Sequence, residues 1–210
     1  MDQIKQEVAK ILLEIGAVTL SPKKLFTWAS GIQSPIYCDN RLLMTYPEAR
    51  REIREAFCHL IKEKEPNCQL IGGVATGAIA HAAWAAERLN KPMVYIRGKS
   101  KEHGKQNLVE GKVESGALAV VLEDLVSTGG SSCAAIEALR NAGGKVNHCL
   151  AIFTYGFPES LKKFEEIHCQ LTTLTDFSTL LQLAKERRVI SADEQGFLQR
   201  FAADPRHWLD

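Results

Sequence analysis

Residues 119–133 read Ala-Val-Val-Leu-Glu-Asp-Leu-Val-Ser-Thr-Gly-Gly-Ser-Ser-Cys. An apolar run ends at Leu122 and is followed by two adjacent carboxylates and then by a turn of small polar residues. The apolar residues that come next, from Ala134 to Leu139, recur at helical spacing. Short apolar runs bounded by turn residues are typical of strands in a parallel sheet that is covered on both faces. The stretch therefore predicts a buried strand over 119–122, a tight turn, and a helix that begins near residue 130.

The turn after this strand has the composition of a phosphate-binding site. The backbone N–H groups at a helix start are unpaired, the helix dipole makes that end positive, and Gly129 and Gly130 let a ligand approach the backbone. Four hydroxyl groups add donors, those of Ser127, Thr128, Ser131 and Ser132. Glu123 and Asp124 precede the turn, and carboxylates suit the hydroxyls of a sugar, or a metal. Together these features describe a ribose 5-phosphate site, although an ordinary capped helix start explains the same residues equally well.

Strand-like and helix-like patterns alternate between about residues 47 and 155. The alternating segments are 47–64, 69–73, 76–89, 92–96, 119–122, 130–142 and 146–153. This alternation predicts an α/β fold with a parallel sheet, whose ligands lie at the carboxyl ends of the strands. Outside this part, helices are predicted over 2–16, 158–166, 177–186 and 192–201 (the last capped by Ser191), and strands over 25–28, 36–38 and 170–175.

The composition limits the class of protein. The chain has 210 residues, is 45% hydrophobic and carries a net charge of +1, so we expect a single domain over 1–210 and no broad basic surface for nucleic acid. It contains no run of about 18 apolar residues and no signal-peptide pattern, which predicts a protein without membrane contact. Six cysteines lack C-x-x-C spacing and favour reduced thiols in the cytoplasm: Cys38, Cys58, Cys68, Cys133, Cys149 and Cys169.

Positive charge is concentrated in the polar segment 97–112. Five basic residues (97, 99, 101, 105 and 112) and two acidic residues (102 and 110) give this segment a net charge of +3, against +1 for the whole chain. A loop with arginine, lysine and histidine suits a polyanion that is enclosed and then released. A solvated surface loop is nevertheless the more common explanation of such a run of charges.

The stretch 119–133 resembles the signature with which type I phosphoribosyltransferases bind 5-phosphoribosyl 1-diphosphate (PRPP): apolar residues, two acidic residues, two apolar residues and a Thr/Ser/Gly-rich turn. Three further segments, 26–41, 73–78 and 97–104, are similar to motifs of the orotate phosphoribosyltransferase family. The resemblance spans about residues 20–156. It implies a type I phosphoribosyltransferase fold, in which helices flank a central, mostly parallel sheet and a small N-terminal hood is contributed mainly by about residues 1–45. It also implies the conversion of orotate and PRPP to orotidine 5′-monophosphate and pyrophosphate with Mg²⁺, in pyrimidine (UMP) biosynthesis.

Residue by residue, the resemblance assigns PRPP to the acidic pair, the turn and the basic loop. The implied PRPP-binding residues are Arg97, Lys99, Lys101, His103, Glu123, Asp124, Leu125, Val126, Ser127, Thr128, Gly129, Gly130 and Ser131. Lys101, His103 and Asp124 are the implied catalytic residues. Many members have a lysine where this chain has Gly98, which leaves open whether Lys99 compensates. The 97–112 loop is expected to reach the neighbouring active site of a homodimer, and Mg²⁺ is expected to bind mainly through PRPP, without a firm protein ligand.

The residues that would hold the base match the family less well. Tyr37 and Ser127 match orotate-contacting positions, and Arg41 is a candidate partner for the orotate carboxylate. Tyr155 stands where several members have an orotate-contacting arginine, and Ala29 stands where some have a lysine. The sequence therefore leaves open how the base is held.

Ala75, Thr76 and Gly77 match the family's pyrophosphate-binding turn, where a non-proline cis peptide is expected between Ala75 and Thr76. From the residues alone, a simple Gly-rich strand end explains them as well. Two other functions also stay open: a transferase for another base, such as a purine, and a non-enzymatic regulator that keeps the fold to sense PRPP. The hood motif and the loop motif 101–104 argue against the first. The loop lysine and histidine, and the lack of room for a DNA-binding domain, argue against the second.

Overall fold

The computed structural model describes residues 2–28, 31–98 and 108–209, so the predicted site residues Lys99, Lys101 and His103 lie outside the described residues. The helices are α1 (Asp2–Glu14), a 3-10 helix (Asn40–Thr45), α2 (Pro47–Lys64), α3 (Ile79–Leu89), α4 (Gly130–Asn141), α5 (Pro158–Glu166), α6 (Phe177–Glu186) and α7 (Ala192–Ala203). The strands are β1 (Val18–Leu20), β2 (Phe26–Thr27), β3 (Gln33–Ser34), β4 (Ile36–Cys38), β5 (Leu70–Val74), β6 (Met93–Ile96), β7 (Val109–Glu110), β8 (Leu118–Val126), β9 (Lys145–Thr154) and β10 (Gln170–Asp176).

The main sheet has six strands in the order β10-β9-β8-β5-β6-β7. Every neighbouring pair is parallel except β6 and β7, which are antiparallel. The predicted α/β fold with a mostly parallel sheet is therefore confirmed. The chain proceeds from β5 towards one edge and then returns to place β8 on the other side of β5. In such sheets the crevice at this reversal, beyond the carboxyl ends of the strands, is the usual place for a ligand.

Alternation along β8 divides the hydrophobic core into two layers. Val120 and Leu122 belong to the layer that also contains buried residues of α1, α2, α3, α6 and α7. Ala119 and Val121 belong to the opposite layer, with buried residues of α4 and α5. Because consecutive side chains of a strand point to opposite faces of the sheet, the apolar run in β8 supplies both layers.

The sequence placed the end of the central strand too early. It predicted a strand over 119–122 with the carboxylates after it, whereas β8 continues to Val126. Backbone pairing with β9 causes the extension, since Glu123 pairs with Ala151 and Val126 with Thr154. Glu123 and Asp124 therefore lie inside a strand rather than in a loop.

Short elements at the N-terminal side form a separate small layer. β1 pairs with β4, and β2 pairs with β3; both pairs are antiparallel. Of these elements, β1, β3 and the 3-10 helix were not predicted, because runs this short carry too little periodicity to be recognised. The edge strand β7 was likewise hidden in the segment 97–112, which was interpreted as polar loop.

The C-terminal part of the chain packs against this N-terminal layer. The indole N–H of Trp208 donates a hydrogen bond of 3.0 Å to the Gln33 carbonyl oxygen. The Trp208 ring lies 5.4 Å from Phe201, whose ring in turn lies 5.7 Å from Trp28 of the hood. From the sequence, the contribution of the last fifty residues beyond packing stayed open; in the structure, Phe201 and Trp208 contact the N-terminal layer.

The predicted boundaries of three helices and the predicted cap of a fourth helix are confirmed. The helices α2, α5 and α6 have the predicted boundaries, and Ser191 caps α7 in a capping box with Glu194. All six cysteines are buried and free of disulfides. Among the described residues, no helix combines the length and the apolar character needed to cross a bilayer.

His81 on α3 is buried, and within the described part of the chain neither of its ring nitrogens has a hydrogen-bond partner. Its ring packs edge-on against Trp84, with centroids 5.3 Å apart. Burial disfavours the charged imidazolium and lowers the pKa of His81 from 6.5 to about 4.

We expect this histidine to make folding stability depend on pH. Between pH 6.5 and 4 the unfolded chain binds a proton at His81 that the folded chain does not. The free energy of unfolding should therefore fall as the pH is lowered through this window, by about 3 kcal/mol at most from this residue. Denaturant titrations at pH 7 and pH 5 would measure the loss. In His81→Phe, which keeps an aromatic ring against Trp84, the loss should be smaller; equal losses in both proteins would contradict the prediction.

Candidate functional site

A cavity of about 340 Å³ lies at the carboxyl ends of β5 and β8, where the strand order reverses. Three parts of the chain line it: the end of β4 with the start of the 3-10 helix, the turn after β5, and the end of β8 with the first turn of α4. Its lining residues are Cys38, Asp39, Asn40, Arg41, Val74, Ala75, Thr76, Gly77, Glu123, Asp124, Leu125 and Ser131. The structure thus brings together the predicted acidic pair, the predicted pyrophosphate turn and Arg41.

Glu123 and Asp124 are adjacent in β8, so their side chains point to opposite faces of the sheet. Glu123 points towards α4, where the Ser132 hydroxyl donates a hydrogen bond of 2.9 Å to Oε2 of Glu123. Asp124 points towards the turn before α3, because its carboxylate lies against Gly77. Both carboxylates line the cavity, and the sheet gives each of them different neighbours.

Glu123 is the more buried of the two, with 5% of its surface exposed. Both of its oxygens are engaged, one by the Ser132 hydroxyl and the other by the Asp124 backbone N–H at 3.1 Å. Burial, followed by the negative charge of Asp124, raises the pKa of Glu123 well above the usual range of a carboxyl group. Asp124 is therefore the more accessible of the two carboxylates that line the cavity.

Asp124 is held on two sides. The side-chain amide of Asn40 donates a hydrogen bond of 2.6 Å to the Asp124 backbone carbonyl. On the other side, Gly77 packs so closely that a Cβ atom added there would overlap with the Asp124 carboxylate. The hood and the turn after β5 therefore fix both the main chain and the side chain of Asp124.

The turn 127–131 connects β8 to α4. Gly129 has φ of +77°, a left-handed conformation that glycine adopts without strain, and it precedes the first residue of the helix. Among the described residues, no side chain caps the start of α4, whereas α6 and α7 are capped by Asp176 and Ser191. As at the starts of α2, α3 and α5, the first N–H groups of α4 therefore have no side-chain cap among the described residues, and at α4 they adjoin the cavity.

The turn after β5 lines the cavity opposite β8. The Ala75–Thr76 peptide is cis, as predicted. The Ala75 backbone N–H donates to the Ile96 carbonyl, which joins this turn to β6. The predicted helix over 76–89 begins later, at Ile79, so residues 75–77 line the cavity instead of forming the first turn of the helix.

The two predicted arginines are engaged by carboxylates. Arg41 makes a bidentate pair with Asp39, with distances of 2.6 Å from Nε and 2.8 Å from Nη2. This hydrogen bonding lowers the pKa of Asp39. Arg97, at the start of the basic segment, has Nη1 at 3.0 Å from Glu110 Oε1. Arg41 lines the cavity beside Asp124, and Arg97 follows directly after the end of β6.

The two predicted tyrosines have different surroundings. Tyr37 is 45% exposed, and its ring centroid lies 5.6 Å from that of Phe26 in the hood. Tyr155 is only 4% exposed and stacks on Phe157 with centroids 5.3 Å apart. Burial raises the pKa of the Tyr155 hydroxyl far above its usual value. Tyr37 therefore has the accessible ring, and Tyr155 packs in the aromatic cluster beneath the hood; the contact of either residue with a base stays a prediction.

Sequence reasoning missed two residues that shape the site. Asn40 was passed over because its partner Asp124 is 84 positions away in the chain, and no local pattern signals such a contact. Ser132 was considered only as one hydroxyl donor of the turn, whereas its hydroxyl is buried against Glu123. The alternation of a longer strand would have pointed to it, because it places Glu123 on the α4 face.

The chain is similar to known phosphoribosyltransferases in sequence and in fold. A phosphoribosyl transferase domain model matches residues 43–178. An orotate phosphoribosyltransferase of Enterococcus faecalis is 48% identical over 208 residues, covering 99% of each chain. One of Staphylococcus haemolyticus is 51% identical over 189 residues, covering 90% of this chain and 94% of the relative. The crystal structure of orotate phosphoribosyltransferase from Aeropyrum pernix is similar with a TM-score of 0.75 and 30% identity, covering 83% of this chain and 96% of that one.

Proposed function

We propose that this chain transfers the ribose 5-phosphate group of PRPP to orotate. The proposal follows from its family, because the chain belongs to the orotate phosphoribosyltransferases of the phosphoribosyl transferase family. The products are orotidine 5′-monophosphate and pyrophosphate, in the biosynthesis of UMP. The observation that carries the residue assignment is the cavity at the carboxyl ends of β5 and β8, which joins Asp124, the turn 75–77 and the start of α4. Residues 1–210 act as one domain in this proposal, and the hood covers the base.

The 5-phosphate binds at the turn 127–131, where helix-start N–H groups and hydroxyls provide donors without a neutralising side-chain cap. Asp124 accepts hydrogen bonds from the ribose 2- and 3-hydroxyls. Its negative charge also stabilises the positive charge that develops on the ribose ring as the bond between C1 and pyrophosphate breaks. Glu123 contributes less to ribose binding than Asp124, because both of its carboxylate oxygens already accept hydrogen bonds within the protein.

The leaving pyrophosphate lies against the turn 75–77, on the side of the cavity that faces Asp124. The basic loop closes over the pyrophosphate through Arg97, Lys99, Lys101 and His103. Its positive charges stabilise the negative charge that develops on the pyrophosphate, so the loop binds the transition state more tightly than the substrate. Loop closure also excludes water, which would hydrolyse PRPP. We propose that this loop belongs to the neighbouring subunit of a homodimer in the cytoplasm.

Orotate binds between the hood and the end of β8. Tyr37 offers an accessible aromatic face for the flat pyrimidine. Arg41 lines the cavity and could pair with the orotate carboxylate. To do so, its guanidinium must either break its ion pair with Asp39 or contact both carboxylates at once. Ser127 offers a hydroxyl. Tyr155 contributes by supporting Trp28, whose ring lies 5.0 Å from it.

The residues of the cavity are compatible with a Mg²⁺ ion that binds together with PRPP. Within the described residues, no three His, Cys, Asp or Glu side chains are grouped to hold a metal. Asp124 offers one hard oxygen ligand, of the type that Mg²⁺ prefers, and the oxygens of PRPP and water would complete the coordination. When bound, the ion would neutralise negative charge on the pyrophosphate.

A spectrophotometric assay of orotate consumption tests the proposed function. The purified protein is mixed with PRPP and Mg²⁺ and with orotate, adenine, hypoxanthine or uracil in parallel. We expect turnover with orotate only. Turnover with a purine instead would reassign the base, and PRPP binding without any turnover would favour a PRPP sensor.

Lys101→Ala should lower kcat by about a hundredfold or more while the protein remains folded, because a preorganised cation on the leaving group acts mainly in the transition state. Steady-state kinetics and circular dichroism measure both effects. Lys112→Ala is the matched control, because Lys112 lies in the same segment but is exposed and paired with Glu114. Equal kinetics of the Lys101 variant and the wild type would exclude this role of the loop.

A further inference from the structure

Lys163 on α5 is the one cation that the described contacts place on the turn 127–131. Its Nζ donates a hydrogen bond of 3.1 Å to the backbone carbonyl of Thr128. The same ammonium lies 2.6 Å from Oε1 of Glu159, one helical turn earlier. A Cβ atom added at Gly130 would be 3.9 Å from Nζ. Lys163 is two-thirds buried, with 34% of its side chain exposed, whereas its neighbour Lys162 is 78% exposed.

The contact with Thr128 determines how one peptide of the turn is oriented. The carbonyl of Thr128 and the N–H of Gly129 belong to the same trans peptide, and these two groups point in opposite directions. Because the carbonyl points towards Lys163, the Gly129 N–H points away from α5. A carbonyl in that place would repel a phosphate, whereas an N–H donates to it.

The helix that carries Lys163 is itself packed against the turn. A Cβ atom added at Gly129 would lie 3.4 Å from both Ser160 and Phe164 of α5. Phe164 is buried in the same hydrophobic layer as α4. The position of Lys163 is therefore fixed relative to the turn, and its partner Glu159 restrains the ammonium further.

We propose that Lys163 is a positioning residue for the 5-phosphate site: its ammonium holds the Thr128 carbonyl away from the ligand and so presents the Gly129 N–H to the phosphate. This inference rests on the proposed function, because it takes the turn 127–131 as the site of the 5-phosphate. Lys163 acts through Thr128 and Gly129 and is not assigned a step of the reaction.

Three variants test the inference in the intact protein. Lys163→Met removes the charge and the donor but keeps most of the stem, Lys163→Arg restores a cation that can donate, and Lys162→Met is the matched control on the same helix. Calorimetry with ribose 5-phosphate measures the phosphate site without turnover. Steady-state kinetics then give the KM of PRPP and the KM of orotate separately.

We expect Lys163→Met to weaken ribose 5-phosphate binding and raise the KM of PRPP by about tenfold, the loss typical of a charge-assisted hydrogen bond. The KM of orotate and kcat should stay close to those of the wild type, since the phosphate is bound alike in the ground and transition states. Lys163→Arg should recover most of the affinity, and Lys162→Met should behave as the wild type.

Unchanged ribose 5-phosphate affinity in Lys163→Met would overturn the inference, and so would equal losses for PRPP and orotate, which indicate general damage to the fold. Failure of Lys163→Arg to recover affinity would also count against it. If the wild type binds ribose 5-phosphate but does not convert orotate, the proposed function fails while the calorimetric comparison still decides the role of Lys163. If the wild type does not bind ribose 5-phosphate, the inference is overturned with the site.

Discussion

Replacing Asp124 with asparagine is expected to lower kcat/KM for PRPP by about a hundredfold or more, the effect typical of removing an electrostatic group aimed at a developing charge. Asparagine has nearly the same shape, so the packing against Gly77 and the backbone contact with Asn40 should survive. The loss should therefore come from the missing negative charge and from weaker bonds to the ribose hydroxyls. Steady-state kinetics with varied PRPP measure the loss of kcat/KM, and calorimetry with PRPP measures the loss of binding affinity.

Glu123→Gln provides the contrast in the same strand. Burial and the charge of Asp124 raise the pKa of Glu123, both of its oxygens are already hydrogen-bonded within the protein, and glutamine has nearly the same shape. The loss should be clearly smaller than for Asp124→Asn. Asp193→Asn, an exposed position in the first turn of α7, is the neutral control. Normal PRPP affinity and turnover in Asp124→Asn would remove Asp124 from the mechanism.

Gly77→Ala is expected to reduce PRPP use almost as strongly, although it changes no polar group. The added methyl group would overlap with the Asp124 carboxylate, so either the carboxylate or the turn 75–78 must move. A displacement of about 1 Å near the reacting atoms can cost about a hundredfold in rate. Kinetics of the purified variant, together with its melting temperature, separate misplacement from unfolding.

A matched control comes from Gly196 in α7, where an added Cβ atom would meet no neighbouring atom within 4 Å. Gly196→Ala should leave activity unchanged and stabilise the protein by about 0.5–1 kcal/mol, because alanine is the better helix former. If Gly77→Ala acts through Asp124, it should cost much less in an Asp124→Ala background, since the clash is then gone. An equal cost in both backgrounds would show that Asp124 is not the group displaced.

The parts of the fold that depend on local patterns could be predicted from the sequence. Helices such as α2 and α5 were predicted with correct boundaries because their amphipathic spacing and their first-turn prolines are local signals. The turn 127–131 was proposed from its residue types, whereas the turn 75–77 was proposed from the family resemblance. The family resemblance then joined these segments into one site.

The errors arose where distant contacts decide the structure. β8 was ended at Leu122 because Glu123 and Asp124 are polar, but pairing with β9 continues through them. The opposite orientations of the two carboxylates follow from that pairing alone. Asn40 and Lys163 reach the site from the hood and from α5, and one charged or amide residue on an exposed helix or turn cannot be told from its neighbours without the tertiary fold.

The most direct test of the account is a crystal structure of the protein with PRPP bound. The 5-phosphate should lie within hydrogen-bonding distance of the backbone N–H groups of residues 128–131, and the ribose hydroxyls should lie on Asp124, with the pyrophosphate against the turn 75–77. A structure in which the pyrophosphate occupies the turn 127–131, or in which the ribose does not reach Asp124, would contradict the division of the cavity that we propose.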